Sequence, residues 1–302
     1  MNGRISNFSQ VASIRRYTIT EGRGKGLDVI DCDNGKMRFL LNVDRALDIM
    51  QLYYCGQNMS FVSKNGFSRK DGDFSERFEG GMLYTCGLDS IGRREVGVIH
   101  GKIHLTPAEV VRAECTEEGI VVEANIVVSA LFGECLCVRR KISSAIGSDT
   151  LTLEDTLTNC GDTEQNYALL YHVNIGYPML DAGAKILADV ECIKGSNAWS
   201  DENIAAAFEL SEPVDGINEN CYFINLKKPA VTLVNENIKK AFTLSYSGDT
   251  LPCFTEWKSM RSHDYAVGFE PCTCELGKGF EYKKIAVGES IDFSLAMTVK
   301  SI

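Results

Sequence analysis

The chain has 302 residues, 44% of them hydrophobic and 24% charged, with a formal net charge of −10. That is the composition of an ordinary globular protein with enough apolar residues for one large core or two small ones. The acidic balance, with no basic stripe carrying interleaved aromatics, argues against nucleic acid and anionic membranes as partners and leaves small neutral molecules.

Met1 to Tyr17 carries basic residues and no apolar stretch. No secretory signal is read there, and a cytoplasmic location is expected. No run approaches the ~18 apolar residues that span a bilayer. Asp44-Arg45-Ala46-Leu47-Asp48-Ile49 combines charges with a strand start. Arg45 is either a forked donor to ligand oxygens or the partner of Asp48. Val98 to His104 holds two of the four histidines. Gly101 and the β-branched neighbours predict a strand, where both rings share a face about 13 Å apart, too far to clasp one ion. His100 is the better candidate, because Gly101 lets backbone or ligand approach closely.

From Ile120 the apolar residues recur with period two through Val122, Ala124, Ile126 and Val128. Strands over 120–128, 135–142 and 151–157 follow, a meander of long antiparallel strands with turn residues between them. Tyr167 to Tyr171 reads as a strand leading into His172, and Gly176 and Pro178 end its regular pairing. A histidine at a strand mouth moves protons near neutral pH, and as a lone signal is as readily structural. Ser200 to Leu210 predicts a short helix with Ser200 or Asp201 as its cap, packed on a sheet edge. Strands are also predicted over 231–234, 241–246 and 291–299. Thr255-Glu256-Trp257-Lys258 holds one of only two tryptophans. Trp257 suits the apolar face of a sugar ring and equally suits a core. Ala266 to Phe269 reads as a buried strand that ends in Glu270-Pro271. A partly desolvated carboxyl there is a stronger base, and the plainer reading pairs it with a lysine.

There is no glycine-rich phosphate loop after a strand and no βαβ alternation, which argues against a doubly wound sheet. No linker or repeat divides the chain. The expectation is therefore all-β, one domain over 1–302, built as a large antiparallel β-sandwich with few short helices. The twelve cysteines include no Cys-x-x-Cys pair. They read as free thiols acting as small hydrophobes, with disulfides not expected. No Gly-x-Ser-x-Gly elbow marks a nucleophilic serine.

Six stretches in order resemble the aldose 1-epimerase (galactose mutarotase-like) superfamily, most closely its uncharacterised, DUF4432-type branch. They are Asp44 to Ile49, Gly80 to Leu88, His100-Gly101, Phe132-Gly133-Glu134, Tyr171 to Leu180, and Gly268-Phe269-Glu270-Pro271. The resemblance implies a galactose mutarotase-like sandwich whose concave face binds carbohydrate. It implies an isomerase that interconverts the α and β anomers of a free sugar, with no metal and no cofactor. Glu270 would take the anomeric proton, His172 would protonate the ring oxygen, and His100 would hold the sugar. Arg45, Asn174, Trp257, Glu256 and Lys258 are the candidate substrate contacts. The early Arg and Asn-Arg run of familiar mutarotases is missing, and Arg45 stands in its place. Two other readings share these residues: a carbohydrate-binding or sensing protein without turnover, and a metal-dependent, cupin-like sugar isomerase.

Overall fold

The computed structural model describes residues 3–92, 98–277 and 280–302. Among them, eighteen strands form two antiparallel sheets of five and thirteen strands. The smaller sheet runs in chain order through β1 (Ser13–Thr18), β2 (Asp28–Asp33), β3 (Met37–Asn42), β4 (Asp48–Tyr54) and β5 (Gln57–Asn58). The larger holds β6 (Leu83–Leu88), β7 (Glu109–Cys115), β8 (Gly119–Ser129), β9 (Cys135–Ala145), β10 (Thr150–Asn159), β11 (Gln165–Ile175) and β12 (Lys185–Gly195). It continues with β13 (Asn220–Asn235), β14 (Lys240–Tyr246), β15 (Cys253–Arg261), β16 (Asp264–Cys272), β17 (Lys283–Ile285) and β18 (Ser290–Ser301). Its order is β17-β11-β16-β15-β13-β14-β18-β10-β9-β8-β7, with β6 also on β11 and β12 on β13.

The meander β7 to β10 follows from period two. Ile120, Val122, Ala124, Ile126 and Val128 are buried, and on β9 and β10 the same face carries Leu136, Val138, Ile142, Leu151, Leu153 and Leu157. One apolar cluster joins these side chains to Phe39, Leu41 and Leu52 of the smaller sheet and to Val173, Phe269 and Phe293 of the larger. The fold is thus an all-β antiparallel sandwich. Alternation found β13 only in part. Its centre, Leu226 to Pro229, breaks the alternation with two lysines and a proline and is mostly exposed where the strand leaves β15 and joins β14.

Two local expectations fail. Residues 98–104 are not a strand. Gly101 has φ +73° and donates to the Val98 carbonyl at 2.9 Å, and a 3₁₀ turn follows over Ile103–Leu105. A Cβ on Gly101 would come within 2.1 Å of the Gly87 carbonyl oxygen, so only glycine fits this close approach. The helix after residue 195 is capped by Asn197, whose side chain accepts from the Ser200 amide at 3.0 Å. Ser200 and Asp201 therefore lie inside it, and their side chains accept from Cys221 and Gly195 amides instead. That helix, Ala198–Glu202, packs on β12 and β13.

Strands β11, β15 and β16 are buried along nearly their whole length on both faces, which is why they read as apolar runs rather than alternation. One face meets the core. The other is covered by the connection from residue 59 to 82, which carries the single helical turn α1 (Phe74–Arg77). Phe61 ties that connection to β11 by donating to the Asn174 carbonyl at 3.1 Å. No helix among the described residues is long and apolar enough to cross a membrane.

Candidate active site

Pairing register decides what meets on the covered face. Asn174 on β11 and Trp257 on β15 both lie opposite Gly268 on β16. Val173 pairs with Phe269 and points to the core, so His172 falls on the other face beside Glu270. His172 Nε2 stands 3.1 Å from Glu270 Oε1. The contact is close but not aligned, and Oε1 has no hydrogen-bond partner in the protein. Gly268 makes this meeting possible. A Cβ there would lie 2.9 Å from both Glu270 Oε1 and His172 Cε1.

Aromatic rings wall the pair. His172 is 5.4 Å from Trp257 and 5.6 Å from Phe78, centroid to centroid, and Phe78 meets Trp257 edge-on at 6.2 Å. His100 stands 6.0 Å from His172, with Phe74 packed on it at 4.4 Å. Trp257 Nε1 donates to Glu219 Oε2 at 2.7 Å. Asn174 donates to the His172 carbonyl at 3.0 Å and leaves its own Oδ1 without a protein partner. His172 Nδ1 and His100 Nδ1 are likewise unpartnered.

Burial governs the charges. His172 and Glu270 are 5% and 3% exposed. Burial, aided by the neighbouring charges of Glu219 and Glu256, pushes the Glu270 carboxyl well above the usual range. Burial and the facing His100 hold the His172 imidazole well below its usual value, with Asn174 acting in the opposite direction. His100 falls to about 4 through burial and the nearby Arg77 guanidinium. Both shifts favour the uncharged form of each partner.

Of the residues singled out in the sequence, His172, Glu270, His100, Asn174 and Trp257 share this face. Glu256 and Lys258 do not. Both flank Trp257 in the strand and so point the other way, Glu256 opposite Phe269 and Lys258 opposite Val267. Lys258 Nζ donates to the carbonyls of Ala206, Ala207 and Glu209. Arg45 lies in the turn before β4 and donates to the Ser68 carbonyl at 3.3 Å. Asp48 is not its partner. It binds Arg140, Thr85 and His104 instead. His104 thus belongs to a buried charge network and stacks on Tyr84 at 3.6 Å. Among the described residues no three His, Cys, Asp or Glu side chains converge as a metal ion would need. All twelve cysteines are free thiols.

Sequence reading missed four contributors: Phe74, Arg77, Phe78 and Glu219. Arg77 is 7% exposed and donates to the Tyr84 hydroxyl at 2.6 Å, on the strand opposite His172. All four sit in non-periodic segments, where no alternation signals a buried face. The only local cue was the aromatic density of Phe74 to Phe78 just before Gly80-Gly81.

The family described as a domain of unknown function, DUF4432, matches residues 24–298. No curated protein matches the sequence. A provisionally named aldose 1-epimerase from Klebsiella pneumoniae is similar in structure, with 21% identity, TM-score 0.86, and 97% of this chain and 86% of that one covered. A galactose mutarotase-like protein from Clostridium acetobutylicum has 13% identity, TM-score 0.75, and coverage of 97% and 100%. The galactose 1-epimerase of Lactobacillus acidophilus has 12% identity, TM-score 0.67, and coverage of 96% and 99%. At these identities the likeness is one of fold.

Proposed function

We propose that this chain, which belongs to the DUF4432 family, interconverts the α and β anomers of a free sugar bound against His172 and Glu270. The observation that carries the reading is the 3.1 Å approach of His172 Nε2 to Glu270 Oε1 on a face walled by aromatic rings. The anomeric hydroxyl and the ring oxygen are bonded to the same carbon, so the groups that serve them must be neighbours. The names of the similar structures, an aldose 1-epimerase and a galactose 1-epimerase, support the same reaction class.

The proton count fits as well. Ring opening needs a carboxylate at Glu270 to take the O1 proton and an imidazolium at His172 to protonate O5. The C1–O5 bond then breaks and leaves an aldehyde, a neutral carboxylic acid and a neutral imidazole. Rotation about the C1–C2 bond presents the other carbonyl face. On closure Glu270 returns its proton to O1, and His172 takes one from O5. The pair carries one proton throughout and only changes which partner holds it. Burial favours the neutral arrangement in the free site. Sugar oxygens that hydrogen-bond both groups favour the ionic one, which is the state that starts the reaction. Trp257 and Phe78 offer rings to the apolar side of the sugar, and the unpartnered His100 Nδ1 and Asn174 Oδ1 are left for its hydroxyls.

The test is saturation-transfer NMR between anomeric protons across a panel of free sugars. At least one sugar exchanges faster with the protein than without it. Glu270→Gln and His172→Gln each lower that rate by about 10²–10⁴-fold while the thermal transition is retained. The rate is level through pH about 6.5, where an ordinary histidine would titrate, because both shifts widen the range over which the pair holds one proton. Sugar binding with no exchange, in wild type and variants alike, would make the protein a carbohydrate-binding module instead.

A further inference from the structure

The reacting pair is nearly sealed, although its polar atoms call for a ligand. Four buried atoms converge on the covered face without a protein partner: His172 Nδ1, Asn174 Oδ1, Glu270 Oε1 and His100 Nδ1. Native proteins seldom leave such groups unpaired, and together they outline what a polyhydroxylated ligand would satisfy. The cover over them is α1 and the residue after it. Phe74 lies on His100, and Phe78 reaches across Tyr84 at 5.3 Å, His172 and Trp257.

This cover is lightly attached. Arg69 to Asp73 are exposed, and α1 is one helical turn. The polar ties of Phe74 to Phe78 to the chain before residue 70 and beyond residue 80 are few. Arg77 donates to Tyr84, Asn65 to the Ser75 and Phe78 carbonyls, and Ser63 to the Phe78 carbonyl. The remaining hold is the packing of Phe74 and Phe78, both only partly buried, on the cluster around Tyr84 and on His100, His172 and Trp257. Such a segment opens at far lower cost than the paired strands beneath it. At its end Gly80, with φ +74°, packs where a Cβ would touch the Phe61 carbonyl at 2.8 Å, so the backbone there is held more closely than the turn before it.

We infer that Lys70 to Phe78 is a lid that closes over one sugar ring, and that Phe78 restricts the substrate to monosaccharides. The inference rests on the anomer-exchange reading for its substrate and on the packing for the lid itself. A reducing disaccharide carries the same hydroxyl and ring oxygen on its free anomeric carbon. Chemistry at His172 and Glu270 alone would accept it. The second ring would have to cross the space held by Phe74 and Phe78, so the closed lid is what rejects it. Closure also withdraws the pair from water, which strengthens its interactions with the sugar oxygens.

Two measurements test this. The first compares wild type with Phe78→Ala on glucose and galactose against maltose and lactose, by the same anomer-exchange NMR. Wild type favours the monosaccharides in kcat/KM by at least about tenfold, and Phe78→Ala narrows the gap to within about threefold. A wild-type gap already within about threefold, or a gap unmoved by Phe78→Ala, overturns the size limit. The second is hydrogen exchange on the free wild-type protein, which needs no substrate. Amides of Glu76 to Phe78 exchange at least about 10²-fold faster than those of Ala168 to Val173. Equal protection would sink the lid even if the enzyme is active. No exchange with any sugar, alongside fast amides over the lid, would fault the reaction and leave the lid standing.

Discussion

Glu256 shows what a single residue does when the strand turns it inward. Its side chain is buried opposite Phe269, and neither carboxyl oxygen has a hydrogen-bond partner in the protein. Burial raises its pKa to about 8, and the Lys258 ammonium two residues away opposes the shift only in part. The folded state therefore holds a proton that the unfolded chain has lost. The stability this provides is complete below about 4.5, the ordinary carboxyl value, and is lost as pH rises from there to about 8. Glu256→Gln removes the titration. In urea unfolding the variant should gain on wild type steadily between those two pH values and hold a constant advantage above them. A constant difference across the whole range would mean that Glu256 is charged in the fold. In the sequence the residue is a candidate substrate contact through the family resemblance alone. Alternation put the neighbours of Trp257 on the opposite face, and only the pairing register told which of the two faces was the site.

At the scale of elements, Lys258 links β15 to the 3₁₀ turn Ile204–Ala206. Its ammonium gathers the carbonyls of Ala206, Ala207 and Glu209 at the end of that turn, where Ala206 also accepts the backbone amide of Glu209. Lys258→Met keeps the stem and removes the donors. It should cost about 1–3 kcal/mol in urea unfolding, the penalty for buried acceptors left unmade. The same change withdraws the nearby positive charge from Glu256. An unchanged midpoint would show that the carbonyls find other donors. Strand positions were legible because β8, β9, β10 and β18 each bury one face, and period two records that in the sequence. The turn through His100 was not. Its β-branched neighbours favour a strand, and a tertiary contact, the approach of Gly101 to the Gly87 carbonyl, overrode that preference.

Across the whole molecule, Arg140 fastens the two sheets. It lies on β9, is fully buried, and holds Asp155 of β10, Asp48 of β4, Thr85 of β6 and the Ala46 carbonyl. Burial pulls its pKa down, but the two aspartates outweigh that and keep it firmly charged. Tyr171 donates to Asp155 at 2.8 Å, so the network also anchors the core face of β11, the strand that carries His172. Removing one partner of such a cluster leaves uncompensated charges in the core. Arg140→Met should therefore lose about 3–5 kcal/mol in urea unfolding. A loss under about 1 kcal/mol would mean that the aspartates take up protons at little cost, and a shifted pH dependence would then reveal it.

The class of fold was legible in the residue pattern alone. Alternating apolar residues, few helix signals and no phosphate loop leave antiparallel sheets packed face to face, because period two buries one face of each strand. The sequence also marked His172, Glu270, His100, Asn174 and Trp257 from four separate stretches. The make-up of the site depended on how the strands pair. Which face each strand turns inward depends on register, and the pairing that brings the β15–β16 hairpin to His172 is with β11, far away in the chain. That is why Glu256 and Lys258 left the candidate site. Phe74, Arg77, Phe78 and Glu219 joined it from loops that carry no period to read.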